Sequence, residues 1–179
     1  MEWLKEITPV EQLLDKLFSL ISPDLHQAAS QALDKVTWDA DLPLGSNRWS
    51  QREMVKMAQT WPTAATGVSV IANRASVCHT DNKGQKDWYD ILLTAGRYEE
   101  CWFRLPDLDL RLEYLPGTVV ALNGRILKHE VVEWKGGDRV CYAHWFRHAV
   151  IRNLLTEEEL PSLPSWVNQS RYIELINVL

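Results

Sequence analysis

Two histidines and one aspartate are the strongest candidates in this sequence for binding a metal ion. His79 and Asp81 stand two positions apart in the run V-C-H-T-D that begins at Val77, and His129 follows in L-K-H-E-V. Two imidazoles and one carboxylate suit Fe(II) and leave half of the metal's coordination positions open. Alternate residues of a strand share a face, so we expect His79 and Asp81 to point at one metal from a single strand. We expect His129 to come from a neighbouring strand.

Arg139, ten residues after His129, is the second candidate. In a strand beginning at Arg139, one face would carry Arg139, Cys141, Ala143 and Trp145. The small residues beside the arginine leave room for a ligand, and a buried guanidinium needs an anionic partner. A dicarboxylate held by two parallel hydrogen bonds would supply that partner. The alternative is an ordinary surface ion pair with Glu130 or Glu133.

Other interpretations of these residues stay open. H-x-D also occurs by chance, and a lone strand histidine is often only a satisfied polar residue. A zinc site can be imagined from Cys78, His79, Cys141 and His144, but the usual C-x₂-C spacing is absent. Nothing singles out a cysteine nucleophile, and the sequence has no P-loop and no G-x-G-x-x-G motif.

A small basic set lies beside His79 and Asp81: Arg74, Lys83 and Lys86. These side chains could contact phosphates at the mouth of a site, or could simply belong to a solvated loop. Trp88 is a candidate for stacking on a nucleobase, and core packing is its alternative role. We therefore predict Arg74, Lys83 and Trp88 as substrate-binding residues.

The composition is that of an ordinary globular protein. The chain has 179 residues, 46% hydrophobic residues and a formal net charge of −5, so bulk charge does not indicate a polyanion-binding protein. Three cysteines without a C-x-x-C pattern fit a reducing compartment. The N-terminal residues do not read as a signal peptide, and no run approaches the roughly 20 apolar residues of a membrane span. We expect an intracellular monomer, in the nucleus or the cytosol, with no membrane partner.

The period of the apolar residues changes from helical to strand-like along the chain. Capping signatures predict helices that begin at Thr8-Pro9, at Ser22-Pro23 and at Ser50-Gln51-Arg52-Glu53. Alternation and Gly, Pro or Asn turns predict the strands Gly67–Ile71, Ala75–His79, Trp88–Thr94, Leu110–Tyr114, Thr118–Leu122, Ile126–Trp134 and Arg139–Phe146. A further capping box at Thr156 and a helix at Tyr172–Val178 are predicted for the tail. This order favours an α+β fold, with helices packed on one face of an antiparallel double sheet.

About half of the chain, from Thr66 to Arg152, resembles the double-stranded β-helix, or jelly roll, of Fe(II)- and 2-oxoglutarate-dependent dioxygenases. Within that superfamily it most resembles the fungal TET/JBP-like oxygenases. The resemblance rests on N-R-A-S-V-C-H-T-D-N-K-G from Asn73, on L-P-D-L-D-L-R-L-E-Y-L-P-G-T-V-V-A-L-N-G-R-I-L-K-H-E-V from Leu105, and on G-G-D-R-V-C-Y-A-H-W-F from Gly136. We therefore expect one dioxygenase domain, with a helical support region (1–62), a double-stranded β-helix core (63–152) and a helical tail (153–179).

The resemblance implies a set of cofactors and the residues that bind them. His79, Asp81 and His129 would bind Fe(II), Arg139 would hold the distal carboxylate of 2-oxoglutarate, and O₂ would be the oxidant. Asn73 matches a family asparagine shortly before the first ligand, and we predict that it contacts the cosubstrate or, alternatively, the substrate.

The resemblance also implies a reaction, the hydroxylation of a C–H bond coupled to conversion of 2-oxoglutarate into succinate. The first substrate hypothesis is a methylated nucleobase of the 5-methylcytosine type in DNA, flipped into the pocket and oxidised as in DNA demethylation. Alternatives are hydroxylation of a protein side chain or small molecule, and a non-catalytic jelly-roll binding module. The sequence departs from the family at Glu100 and Cys101, where a Gly-Gly pair is common. Cys141, also predicted to bind the cosubstrate, replaces a serine found in many relatives and is a weaker hydrogen-bond partner.

Overall fold

The chain forms two compact units. A computed structural model describes residues 2–39, residue 42 and residues 50–160. One unit comprises the described residues up to Thr66 and from Arg147 onward, and the other is Gly67–Phe146. The first unit contains helices and the second contains the strands, which is the order that the sequence predicts. The single domain and its three predicted regions stay a prediction.

The first unit is built from four helices, α1 (Glu2–Ile21), α2 (Pro23–Trp38), α3 (Gln51–Thr60) and α4 (His148–Leu154). Helix α3 begins with the predicted capping box. Ser50 Oγ accepts a hydrogen bond from the Glu53 N–H, and the Glu53 carboxylate accepts one from the Ser50 N–H at 2.8 Å. Buried apolar side chains line the interior of this unit: Leu14, Phe18, Leu25, Ala28, Ala29, Ala32 and Ile151. In the described part of the chain, none of the helices combines the length and apolar character needed to cross a membrane.

Two predicted capping signatures do not begin helices. Helix α1 already runs from Glu2, so the predicted start at Thr8-Pro9 was wrong. The Thr8 hydroxyl donates to the Leu4 carbonyl one turn earlier (2.7 Å), so it bonds back into the helix instead of capping it. At Thr156 the chain forms only a turn, closed by a bond from the Thr156 N–H to the Glu159 carboxylate. The helix predicted at Tyr172–Val178 lies outside the described residues.

The second unit is an antiparallel β-sandwich. Its strands are β1 (Gly67–Ala72), β2 (Ser76–His79), β3 (Asp90–Gly96), β4 (Glu100–Leu105), β5 (Leu110–Glu113), β6 (Val119–Leu122), β7 (His129–Val131), β8 (Trp134–Lys135) and β9 (Arg139–Trp145). One sheet has the order β1-β9-β3-β6, and the other has the order β2-β7-β4-β5 with β8 also paired to β4. Every pairing is antiparallel, and strands distant in sequence lie side by side. This jelly-roll arrangement, together with the N-terminal helices, confirms the predicted fold class.

Strand β4 lies at the centre of its sheet, and the local sequence pattern does not predict it. Cys101, Phe103 and Leu105 point inward and are each at most 5% exposed. They belong to the core cluster Tyr98, Cys101, Phe103, Leu105, Tyr114, Leu122 and Val131. The outward residue Trp102 is apolar, which weakens the alternation that would have marked the strand. Its ring is covered by the Arg111 guanidinium at 4.1 Å, which accounts for a tryptophan on the outer face.

Candidate metal centre

The structure brings His79, Asp81 and His129 together. His79 is the last residue of β2 and is paired with His129, the first residue of β7. Asp81 lies beyond the end of β2, in the loop that follows. The expectation that His79 and Asp81 share the face of one strand was therefore wrong. Convergence of the three side chains depends on how this loop is held, in addition to the pairing of β2 with β7.

The distances among the three side chains fit a shared metal ion. Asp81 Oδ1 lies 3.6 Å from His79 Nε2, and Asp81 Oδ2 lies 3.6 Å from His129 Nε2. One ligand atom from each residue lies within 4.8 Å of the other two. Among the described residues this is the one such group of His, Cys, Asp or Glu side chains. The imagined zinc set of Cys78, His79, Cys141 and His144 is therefore not assembled in the described part of the chain.

Backbone carbonyls set the orientation of both histidines. His79 Nδ1 lies 2.7 Å from the Val77 carbonyl, and His129 Nδ1 lies 3.1 Å from the Leu127 carbonyl. A carbonyl can only accept, so each Nδ1 carries the proton and each Nε2 offers a lone pair toward Asp81. Burial lowers the pKa of His129 below the ordinary histidine value, which favours the neutral ring that a metal needs.

Arg139 is the first residue of β9, and its side chain is buried inside the sandwich at 2% exposure. The guanidinium carbon lies 5.3 Å from the centre of the Tyr114 ring and 5.8 Å from that of the Trp134 ring. Arg139 Nε and Nη1 are buried, and no described residue offers either of them a hydrogen bond of ordinary geometry. The two aromatic rings compensate only part of the charge, so the group needs an anionic partner.

A row of aromatic rings connects the candidate metal-ligating side chains to Arg139. The Phe103 ring stacks on the His129 ring, with centroids 5.9 Å apart and planes inclined by 8°. The same Phe103 ring meets Tyr114 edge-on at 5.3 Å, and Tyr114 in turn lies under the Arg139 guanidinium. Phe103 and Tyr114 are almost completely buried. This aromatic row (His129, Phe103, Tyr114) therefore joins both ends of the candidate site.

Asn73 holds the backbone of Arg139. Its side-chain Oδ1 accepts a hydrogen bond from the Arg139 N–H (2.8 Å), and its Nδ2 donates to the Asp138 carboxylate (2.7 Å). Asn73 has a φ of 48°, a left-handed conformation that asparagine tolerates better than most residues. Both ends of the amide are thus engaged at the start of β9. Its predicted contact with the cosubstrate stays a prediction.

Cys141 is buried beside Arg139, and its sulfur lies 3.8 Å from the Tyr114 hydroxyl. Burial raises the pKa of both Cys141 and Tyr114, so both groups are neutral at ordinary pH. From the sequence, Tyr114 was placed at the end of the predicted strand Leu110–Tyr114 and was given no role in the site. Its place next to Arg139 follows from the packing of the two sheets, for which the sequence holds no local signal. The predicted role of Cys141 in binding the cosubstrate stays a prediction.

The predicted substrate-binding residues differ in exposure. Arg74 lies in the exposed bend between β1 and β2, and Lys83 lies in the exposed turn that follows Asp81. Trp88 is 7% exposed, so its ring could reach a substrate only if its surroundings opened. The roles of all three in substrate binding stay predictions.

Comparison with known proteins agrees with this geometry. Residues 2–149 match the family model Tet_JBP, the oxygenase domain of the 2OGFeDO superfamily. The chain is similar to the solved structure of NgTET1 in complex with 5mC DNA, with a TM-score of 0.56 and 17% identity over 84% of this chain. The match covers 53% of the NgTET1 chain, so this chain spans about half of that length, and the likeness shows the fold alone. No curated protein sequence matches at a significant level. Because the family model covers most of the sequence, this chain belongs to the Tet_JBP family of 2OGFeDO oxygenase domains.

Proposed function

We propose that this chain is an Fe(II)- and 2-oxoglutarate-dependent dioxygenase that hydroxylates a C–H bond of its substrate. One observation carries the proposal. A convergent His-Asp-His group and a buried arginine with two unpaired N–H groups occur in one β-sandwich. Burying a guanidinium without an anionic partner is costly, so Arg139 supports a site for an anionic cosubstrate beside the His-Asp-His group.

The metal would be held by His79, Asp81 and His129. The Val77 and Leu127 carbonyls keep the Nδ1 protons on the histidines, so both Nε2 atoms are available before any ion arrives. A set of two imidazoles and one carboxylate leaves positions open for the cosubstrate and O₂. When bound, iron and 2-oxoglutarate supply the oxidation of a C–H bond by O₂, and 2-oxoglutarate becomes succinate and CO₂.

Arg139 would bind the distal carboxylate of 2-oxoglutarate. Its planar guanidinium can present parallel N–H groups to a carboxylate, a geometry that an ammonium group does not offer. The unpaired Nε and Nη1 atoms supply donors for that contact. Tyr114 and Phe103 form a buried wall beside this position and limit the access of water. A charge-assisted bond is stronger in such a setting than in solvent.

We further propose a methylated nucleobase in DNA as the substrate. Membership of the Tet_JBP family supports this choice, and the NgTET1 structure that shares the fold was solved with 5mC DNA. A base reaches such a site only after leaving the duplex stack, and the flanking phosphates then need cationic contacts. Exposed Arg74 and Lys83 lie on either side of β2 and could provide them.

One experiment tests the dioxygenase activity and the identity of the substrate separately. The chain is incubated with Fe(II), 2-oxoglutarate, ascorbate and DNA carrying 5-methylcytosine, and succinate and oxidised bases are measured by mass spectrometry. Asp81→Ala is the matched inactive control. We expect succinate and oxidised base from the wild type and neither from the variant. Formation of succinate without an oxidised base would indicate that the substrate is a protein side chain or a small molecule instead of DNA. Absence of iron-dependent succinate with every substrate class would overturn the dioxygenase proposal.

A further inference from the structure

Asp81 is positioned by contacts from another part of the β unit. Strand β2 ends at His79, so the alternation of a strand does not set the direction of the Asp81 side chain. The Asp81 N–H donates to the Gly124 carbonyl at 2.7 Å, and the Asp81 carbonyl accepts from the Gly84 N–H at 3.0 Å. The backbone of Asp81 is thus held from both sides. The Gly124 contact comes from the turn that follows β6.

Gly124 also shapes the space that the Asp81 carboxylate occupies. A Cβ atom on Gly124 would overlap Asp81 Oδ2 and would lie 3.2 Å from Asp81 Cγ. The overlapped oxygen is the one that lies 3.6 Å from His129 Nε2. Gly124 is buried, and its φ lies outside the left-handed region. While the carboxylate holds this position, its close approach leaves no room for a Cβ atom on residue 124, and the backbone conformation does not demand glycine.

The residues beside Gly124 hold the same loop at further points. Asn123 donates its side-chain N–H to the Lys86 carbonyl and accepts a bond from the Ile126 N–H at 3.2 Å. Arg125 reaches the carbonyl and side-chain oxygens of Asn82 in two longer contacts of 3.4 Å. The turn of residues 123–125 therefore contacts the loop that carries Asp81 at three points: Asp81 itself, Asn82 and Lys86.

We propose that Gly124 is a positioning residue for the metal ligand Asp81. Its carbonyl fixes the backbone of Asp81, and its missing side chain leaves the carboxylate facing both histidines. The inference rests on the proposed metal site. A ligand held in place before the ion arrives binds more tightly than one that must first be ordered, and loss of such outer contacts commonly weakens metal binding by about 10- to 100-fold.

The first experiment compares Fe(II) affinity in Gly124→Ala and in Gly67→Ala by anaerobic titration calorimetry. Gly67→Ala is the matched control, because its Cβ would also overlap a side chain of the same unit, the Trp145 ring. We expect Gly124→Ala to bind Fe(II) roughly 10- to 100-fold more weakly than the wild type. We expect Gly67→Ala to keep wild-type affinity even if it is less stable. Equal affinity in Gly124→Ala and wild type, or equal losses in both variants, would overturn the positioning role.

The second experiment needs no metal. Urea unfolding midpoints are measured for wild type, Asp81→Ala, Gly124→Ala and the double variant. Because Asp81→Ala removes the overlapping oxygen, Gly124→Ala should lower the midpoint less in that background than in the wild type. Equal lowering in both backgrounds would show that the Cβ meets something other than the carboxylate. Suppose that the wild type binds no Fe(II), but that Gly124→Ala still lowers the midpoint less in the Asp81→Ala background. The proposed metal site would then be wrong, while the contact between Gly124 and the Asp81 carboxylate would be confirmed.

Discussion

Replacing Arg139 by lysine removes the planar guanidinium from the candidate cosubstrate site but keeps a positive charge there. The positive charge is retained, but the planar, two-point donor is lost. The side chain is 2% exposed, so solvent cannot replace a missing hydrogen bond. The three candidate metal ligands, His79, Asp81 and His129, belong to other parts of the fold. Arg139→Lys should therefore weaken 2-oxoglutarate binding and leave iron binding unchanged.

The size of the effect follows from the two unpaired donors, Nε and Nη1 of Arg139. A lysine ammonium can satisfy one carboxylate oxygen but cannot match both in the plane of the carboxylate. Loss of one charge-assisted hydrogen bond costs about 1.5–3 kcal/mol. That cost corresponds to roughly a tenfold to hundredfold rise in Kd. Cys141 does not compensate, because a thiol is a weak donor.

The assay is a titration of 2-oxoglutarate into the iron-loaded protein without O₂, followed by the metal-to-ligand charge-transfer band. Arg104→Lys is the matched control, since Arg104 lies on β4 with its side chain 52% exposed and pairs with Glu130. Lysine keeps the charge that pairs with Glu130, and Arg104 is not among the candidate cosubstrate residues, so this variant should bind 2-oxoglutarate like the wild type. If Arg139→Lys also binds like the wild type, another residue anchors the carboxylate and the assigned role of Arg139 is wrong.

Three further outcomes are expected. Asp81→Ala should lose most of its bound iron and all turnover; metal analysis showing unchanged iron content would contradict the ligand assignment. Asn73→Ala removes the side-chain bonds to the Arg139 N–H and the Asp138 carboxylate, so the Kd for 2-oxoglutarate should rise while Fe(II) affinity is kept; unchanged Kd in the charge-transfer titration would argue against this positioning. Phe103→Ala should lower the free energy of unfolding by about 3–5 kcal/mol, because a large aromatic side chain is removed from the core. If chemical denaturation shows a loss below about 1 kcal/mol, the packing around Phe103 is loose.

Residue type and local pattern are enough to identify the candidate ligands. His79, Asp81, His129 and Arg139 stand out because few side chains can bind a metal or a carboxylate, and the structure places the first three together and buries the fourth. The predicted strand Arg139–Phe146 also agrees with the observed Arg139–Trp145, since it is a well-alternating run that follows a glycine turn. Side-chain chemistry and regular alternation can therefore be inferred from the amino-acid sequence alone.

Features that depend on tertiary contacts cannot be inferred in this way. Strand β4 was missed because outward-facing Trp102 hides the alternation, and its cover, Arg111, lies on β5. Asp81 was placed on a strand because its spacing from His79 fits one, while the loop contacts that hold it come from Gly124. For β4 and for Asp81, a partner distant in sequence decided the outcome. The Thr8-Pro9 signature failed for a local reason, since the residues before it already belong to the same helix.

The aromatic row between His129 and Arg139 sets the spacing of the two ends of the site. Phe103 packs on both neighbouring rings, and its burial leaves little freedom to lengthen or shorten the row. Under the proposed function, a cosubstrate would contact the metal with one end and Arg139 with the other, so only a molecule of matching length would fit. We expect oxaloacetate, one carbon shorter than 2-oxoglutarate, and 2-oxoadipate, one carbon longer, to be rejected by the same fixed span. Selectivity for a five-carbon keto acid would then be a property of the core packing around Phe103.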